Sequence, residues 1–185
     1  TEDHARFSAL AESISQAFQA RFHQPDSGQY GIGTQAVQSF ALYLGLAPAD
    51  TRADAVEHLL QKIRDADGAL TTGIFGTRFM LHALTDAGRA DAAMSIVMHP
   101  DCPGWRYMLD NGATTLWEHW NFSDSVFSHN HPMFGSVSEW FFKALAGIQP
   151  TSSAEGFDSI TIQPNVVGDL TSVDASHDSV RGVVK

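Results

Sequence analysis

A mostly α-helical fold of antiparallel helical hairpins, giving way to a short β-segment near its C-terminal end, is predicted for this 185-residue chain. Three observations predict it. Up to about Ile148, apolar residues recur at three- and four-residue spacing, the period of a helix buried on one face. The connections between these stretches are short and rich in Gly and Pro, so successive helices become antiparallel neighbours. After Gly147 the pattern changes to short runs of Ile, Thr and Val separated by turn residues.

The first helix carries Phe7, Leu10, Ile14, Phe18 and Phe22 as one apolar stripe, and Pro25, Gly28, Gly31 and Gly33 break the chain behind it. A second, with Ala36, Val37, Phe40, Ala41 and Leu44, stops at Gly45. A third starts near Thr51, holds Ala55, Val56, Leu59, Leu60 and Ile63, and ends before Gly68. Phe75 to Leu84 forms a fourth, closed by Gly88, and Ala90 to Val97 a fifth, stopped by Pro100. Met133 to Leu145 is the last long one, with Phe134, Val137, Phe141 and Leu145 facing inward. Gln149 to Ser153 then reads as a polar linker. Ser159–Ile162, Leu170–Ala175 and Ser179–Val184 read as strands, with His177-Asp178 as a hairpin turn. One hairpin alone is marginal, and the strand pattern still runs at Lys185, so this piece reads as a truncated β-domain.

Composition narrows the function classes. A net charge of −10, with only 11 scattered Lys and Arg, argues against nucleic acid, which needs a clustered basic face. No apolar run approaches a membrane span, and no signal-like segment stands at Thr1, so a membrane role is not expected. The absence of an initiating Met fits processing or a piece of a longer polypeptide. Cys102 stands alone in a Pro-rich turn; it excludes an internal disulfide framework and reads as a bystander thiol.

The chemistry concentrates between Gly112 and Gly135. Glu118 sits between Trp117 and Trp120, and His129 and His131 follow a short loop later. Indole faces stack on the C–H faces of sugar rings, and a carboxylate among them can serve as general base or nucleophile. Thr114 or Thr115 can cap a short helix with Glu118 in its first turn; Trp117 and Trp120 would then share a face, one in the core and one as pocket wall. The plain alternative is a solvated surface glutamate. Trp105 reads as a lid or wall, or equally as a plug for helix ends. The His129-x-His131 pair could hold a metal together with Glu118 or Asp124, but hydrogen bonding to a sugar hydroxyl or to Glu118 fits the spacing better. Ser128 and Asn130 add neutral donors, His119 reads as structural, and the five Met as core filler. In Thr71–Thr77, Gly73 and Gly76 permit close backbone approach, to a ligand or to a packed helix.

Several segments, in order, resemble the C-terminal part of the catalytic domain of bacterial α-L-rhamnosidases, glycoside hydrolase family 78. They are Gly33-Thr34-Gln35-Ala36 with Leu42 to Leu46, Leu70 to Thr77, Leu84 to Asp91, Gly112 to Trp120, Ser128 to Trp140, and Leu145 to Ile148. The resemblance runs from about Gly31 to Gln163. It implies part of an (α/α)6 barrel over residues 1–148, the C-terminal half of a catalytic domain, and the linker and first strands of a C-terminal β-sandwich over 149–185. It further implies hydrolysis of terminal α-L-rhamnose with inversion, Glu118 as the general base, and His131, before His129, as the sugar-contacting histidine. The substrate would be a rhamnose-containing glycoside or polysaccharide, with no cofactor and no metal.

The family's general acid lies in the earlier half of the barrel, and neither Asp110 nor Asp124 matches it. An inverting glycosidase needs two carboxyl groups, roughly 6.5–9.5 Å apart around a water. The chain therefore reads as the base-bearing half, inactive by itself, its open faces covered by the missing N-terminal half of the barrel or by self-association. Two other readings stand beside it: a non-catalytic carbohydrate-binding or structural remnant, and a metal-dependent hydrolase built on His129 and His131.

Overall fold

The computed structural model describes residues 2–125 and 128–185, arranged in two compact units, Thr1–Ala83 and Leu84–Lys185. Among the described residues no helix is long and apolar enough to cross a membrane.

The first unit opens with α1 (Glu2–Phe22), followed by a hairpin of two-residue strands, β1 (His23–Gln24) and β2 (Gln29–Tyr30), paired His23↔Tyr30 and Gln24↔Gln29. Then come α2 (Gln35–Tyr43), α3 (Arg52–Arg64) and α4 (Ile74–Asp86), whose last turn reaches into the second unit. Thr34 caps α2 by accepting from the Val37 amide at 3.3 Å.

Two buried glutamines on α2 connect this unit. Gln35 donates to the carbonyls of Lys62 (3.2 Å) and Ala69 (3.0 Å) and accepts from the Thr71 amide (2.7 Å). Gln38 donates to Gly28 and Ala55 carbonyls and accepts from the Tyr30 amide at 2.6 Å. Buried polar groups are tolerated when satisfied in this way. Gly76 lets α4 close on α2, since a Cβ there would stand 2.8 Å from the Cβ of Ala36. The close-packing reading of Gly76 is therefore the one realised. The stripe on α1 is not buried: Phe7, Leu10 and Ile14 are 55%, 51% and 56% exposed, and only its end engages, where Phe18 stacks on Tyr30.

The second unit contains α5 (Ala90–Val97), α6 (Trp105–Asp110) and α7 (Ser136–Trp140). The predicted last helix is less regular than its period implied. It begins as a 3-10 turn (Pro132–Gly135), becomes α7, and continues as a π-turn (Phe141–Leu145). Phe134, Val137 and Leu145 are buried as expected, while Phe141, the first residue of the π-turn, is 40% exposed. Trp140, fully buried, donates its indole N–H to Thr85 Oγ1 at 2.8 Å.

The C-terminal segment departs further from expectation. The linker begins as a strand: β3 (Ile148–Pro150) pairs antiparallel with β4 (Ile160–Ile162), Ile148 opposite Ile162. The last hairpin is β5 (His177–Ser179) with β6 (Gly182–Val184), so His177-Asp178 is strand and the turn falls at Val180-Arg181. Leu170–Ala175 forms no strand, having no ladder partner. Gly147 (φ +68°) joins helix to strand where a Cβ would lie 2.1 Å from the Gln163 carbonyl, and Asn165 donates to the Ala144 carbonyl through both its amides. Of the methionines, Met80 and Met108 are core but Met98 is about half exposed.

Candidate active site

The segment around Glu118 is not helical. Residues 112–120 form a turn and an irregular loop, so neither a cap by Thr114 or Thr115 nor a helix dipole acts on Glu118. Its backbone finds partners across the chain instead. The Glu118 amide donates to the Ser128 carbonyl (2.9 Å), and the His131 amide to the Leu116 carbonyl (2.9 Å). Thr115 donates its hydroxyl to the His129 carbonyl. Two loops are thus laced together, and long-range hydrogen bonds replace the i→i−4 set a helix would supply.

This lacing also sets the carboxylate. The Ser128 amide donates to Glu118 Oε2 at 3.0 Å, so the residue is held to Ser128 through both main chain and side chain. Glu118 is half-buried, not a free surface glutamate.

Aromatic rings flank the carboxylate's loop in two groups. Trp117, 4% exposed, meets Phe122 edge-on (5.2 Å, 67°), and Phe122 stacks on the His129 ring (4.4 Å, 19°). Trp120, half-exposed, stacks on Phe134 (3.7 Å, 26°) and receives Trp105 edge-on (5.3 Å, 88°). The two tryptophans do not share a helix face; one is core and the other reaches the surface. Trp105 is buried, starts α6 and donates its indole N–H to the Phe134 carbonyl at 3.0 Å.

The two histidines serve different partners. His129 Nε2 lies 2.8 Å from the Ser123 carbonyl. His131 caps the 3-10 turn, its Nδ1 accepting from the Met133 amide at 3.3 Å. An accepting Nδ1 carries no proton, which places the neutral ring's proton on Nε2. Among the described residues no three His, Cys, Asp or Glu side chains converge as metal ligands would. Asp110 is held by Arg106 at 2.9–3.0 Å, and Asp124 lies on an exposed turn. His119 is exposed. Burial pushes the Cys102 thiol up, favouring the protonated form that donates to Asn121 Oδ1 at 2.9 Å.

An apolar cavity of about 360 Å³ lies in the same unit, lined by Trp105, Met108, Leu109, Leu116, Val137 and Phe141 among others. None of its described lining residues is a carboxylate. Phe122, Ser123 and the Ser128 amide escaped the sequence reading. No periodicity marks an irregular loop, and a backbone donor leaves no trace in residue identity.

The family model described as the bacterial alpha-L-rhamnosidase 6 hairpin glycosidase domain matches residues 1–145. The chain belongs to the bacterial α-L-rhamnosidase family. A second model, the bacterial alpha-L-rhamnosidase C-terminal domain, matches residues 147–185. An α-L-rhamnosidase of Formosa agariphila is 31% identical over 99% of this chain and 20% of its own length. The structure of the Streptomyces avermitilis α-L-rhamnosidase complexed with L-rhamnose superposes with a TM-score of 0.90 at 33% identity, over 97% of this chain and 18% of that one. The α-L-rhamnosidase from Dictyoglumus thermophilum gives 0.91 at 36% identity, over 98% and 21%. The chain thus spans about a fifth of the rhamnosidases it matches, and its mostly helical fold is part of a six-hairpin glycosidase domain.

Proposed function

We propose that this rhamnosidase-family chain carries the general base of an inverting hydrolase acting on terminal α-L-rhamnose in glycosides or polysaccharides. Glu118 is that base. What supports the reading above all is the Glu118 carboxylate, anchored by the Ser128 amide at 3.0 Å on a loop whose two tryptophans join separate aromatic groups, in a chain of this family. In the reaction Glu118 takes a proton from water as the water attacks the anomeric carbon, opposite the departing oxygen. Trp120 offers a half-exposed indole to a sugar face, and His131 a donor at Nε2 for a hydroxyl. Trp117 and Trp105 support these groups from the core.

The acid that protonates the leaving oxygen comes from another part of the parent polypeptide. Residues 1–148 are the C-terminal half of the barrel, and residues 149–185 lead into the β-domain. By themselves these 185 residues release no aryl alcohol from an aryl α-L-rhamnoside.

The test is Glu118→Gln in the full-length parent enzyme. Glutamine keeps an oxygen to accept the Ser128 amide but has no basic site, so the loops stay in place. Loss of general base catalysis lowers kcat about 10²–10⁴-fold with KM little changed. Wild-type turnover by that variant refutes the assignment; steady aryl alcohol release by the isolated 185-residue chain shows that it contains an acid.

A further inference from the structure

We infer that His129 is a positioning residue for Glu118 and not a sugar ligand, an inference that rests on the general-base reading above. A carbonyl oxygen only accepts, so the 2.8 Å contact between His129 Nε2 and the Ser123 carbonyl requires the imidazole to donate there. One face of the same ring lies on Phe122 (4.4 Å, 19°), which is itself set edge-on against buried Trp117. The donor nitrogen and one face of the imidazole are thus committed within the protein, and a neutral ring that donates through Nε2 has no second N–H to give a sugar oxygen.

The main chain on either side of His129 is where the carboxylate is held. Its own carbonyl accepts from Thr115, and the residue before it supplies both bonds to Glu118, amide to Oε2 and carbonyl to N–H. The His129 side chain ties the 121–125 turn to this strand of loop, and so fixes the Ser128–His129 peptide relative to the carboxylate. Catalytic geometry is sensitive to displacements well under an ångström-scale reorganisation of a loop, because a base must stay in hydrogen-bonding reach of its water.

Three variants of the full-length parent enzyme test this. His129→Phe keeps a ring on Phe122 and removes the donor; it is expected to lower kcat about threefold to tenfold, the worth of one hydrogen bond, with KM unchanged. His129→Gln keeps a donor for Ser123 and is expected to recover most of kcat. In a Glu118→Ala background rescued by azide, which attacks the anomeric carbon without giving up a proton, His129→Phe is expected to change nothing, since a residue acting through Glu118 has nothing left to act on. A raised KM with kcat intact, or an equal loss in both backgrounds, overturns the inference. So does a Gln variant as slow as the Phe variant. Wild-type turnover by Glu118→Gln would be a different failure, removing the base reading itself.

Discussion

Gln35→Leu probes the buried polar hub that joins α2, α3 and the loop before α4. Leucine nearly conserves volume, so the substitution isolates hydrogen bonding from packing. Three partners are stranded: the Lys62 carbonyl in the last turn of α3, the Ala69 carbonyl and the Thr71 amide. The Lys62 carbonyl is one of the four that a helix C-terminus leaves unsatisfied, so Gln35 acts as a side-chain cap. Each bond contributes about 0.5–1.5 kcal/mol net, and a buried group left without a partner costs about 1–3 kcal/mol. Because the three share one side chain they do not sum fully, and a loss of about 2–4 kcal/mol is expected. For a chain of this length that lowers Tm by about 4–16 °C.

Thermal melting by circular dichroism measures the total, and hydrogen exchange at the Thr71 amide reads the same bond locally. Gln35→Glu separates donor from acceptor: it still accepts from Thr71 but faces two carbonyls with a carboxylate. Its folded-state pKa is therefore raised, and the stability missing at neutral pH returns as the pH falls and the carboxyl regains a proton to donate. A Gln35→Leu shift under about 1 °C with unchanged Thr71 exchange would refute the hub, since even the weakest single bond, about 0.5 kcal/mol, would give that much.

Two further outcomes are expected. Gly147→Ala places a methyl group 2.1 Å from the Gln163 carbonyl at a φ of +68°, so β3 and β4 should separate and proteolysis between Pro150 and Ile160 accelerate; an unchanged cleavage rate counts against the tight junction. The exposed stripe of Phe7, Leu10 and Ile14 on α1 should make the isolated 185-residue chain self-associate at micromolar concentration, and Phe7→Asp with Ile14→Asp should reduce that in light scattering; a strictly monomeric unsubstituted chain refutes the half-barrel reading.

The sequence by itself determined the helices whose signals are local. Ala90–Val97 was delimited by Gly88 and Pro100, and Gly45 and Gly68 closed α2 and α3 within a residue or a few of where they end. Amphipathic period and Gly or Pro punctuation act within a few residues of the backbone they shape, so they can be read without the fold. The ordered motifs from Gly33 to Ile148 likewise carried the family.

Tertiary structure decided the rest. Glu118 lies in a laced loop because Leu116 and Glu118 find backbone partners in His131 and Ser128, residues that no local window brings together. The same long-range pairing made a strand of Ile148–Pro150, and the lack of a partner denied one to Leu170–Ala175. Trp105 became buried and Trp120 stayed half-exposed, although both are indoles, and Phe134 offers its carbonyl to one and its ring face to the other. An irregular segment takes its conformation from whichever distant donor, acceptor or ring satisfies it, and that is information residue identity alone does not contain.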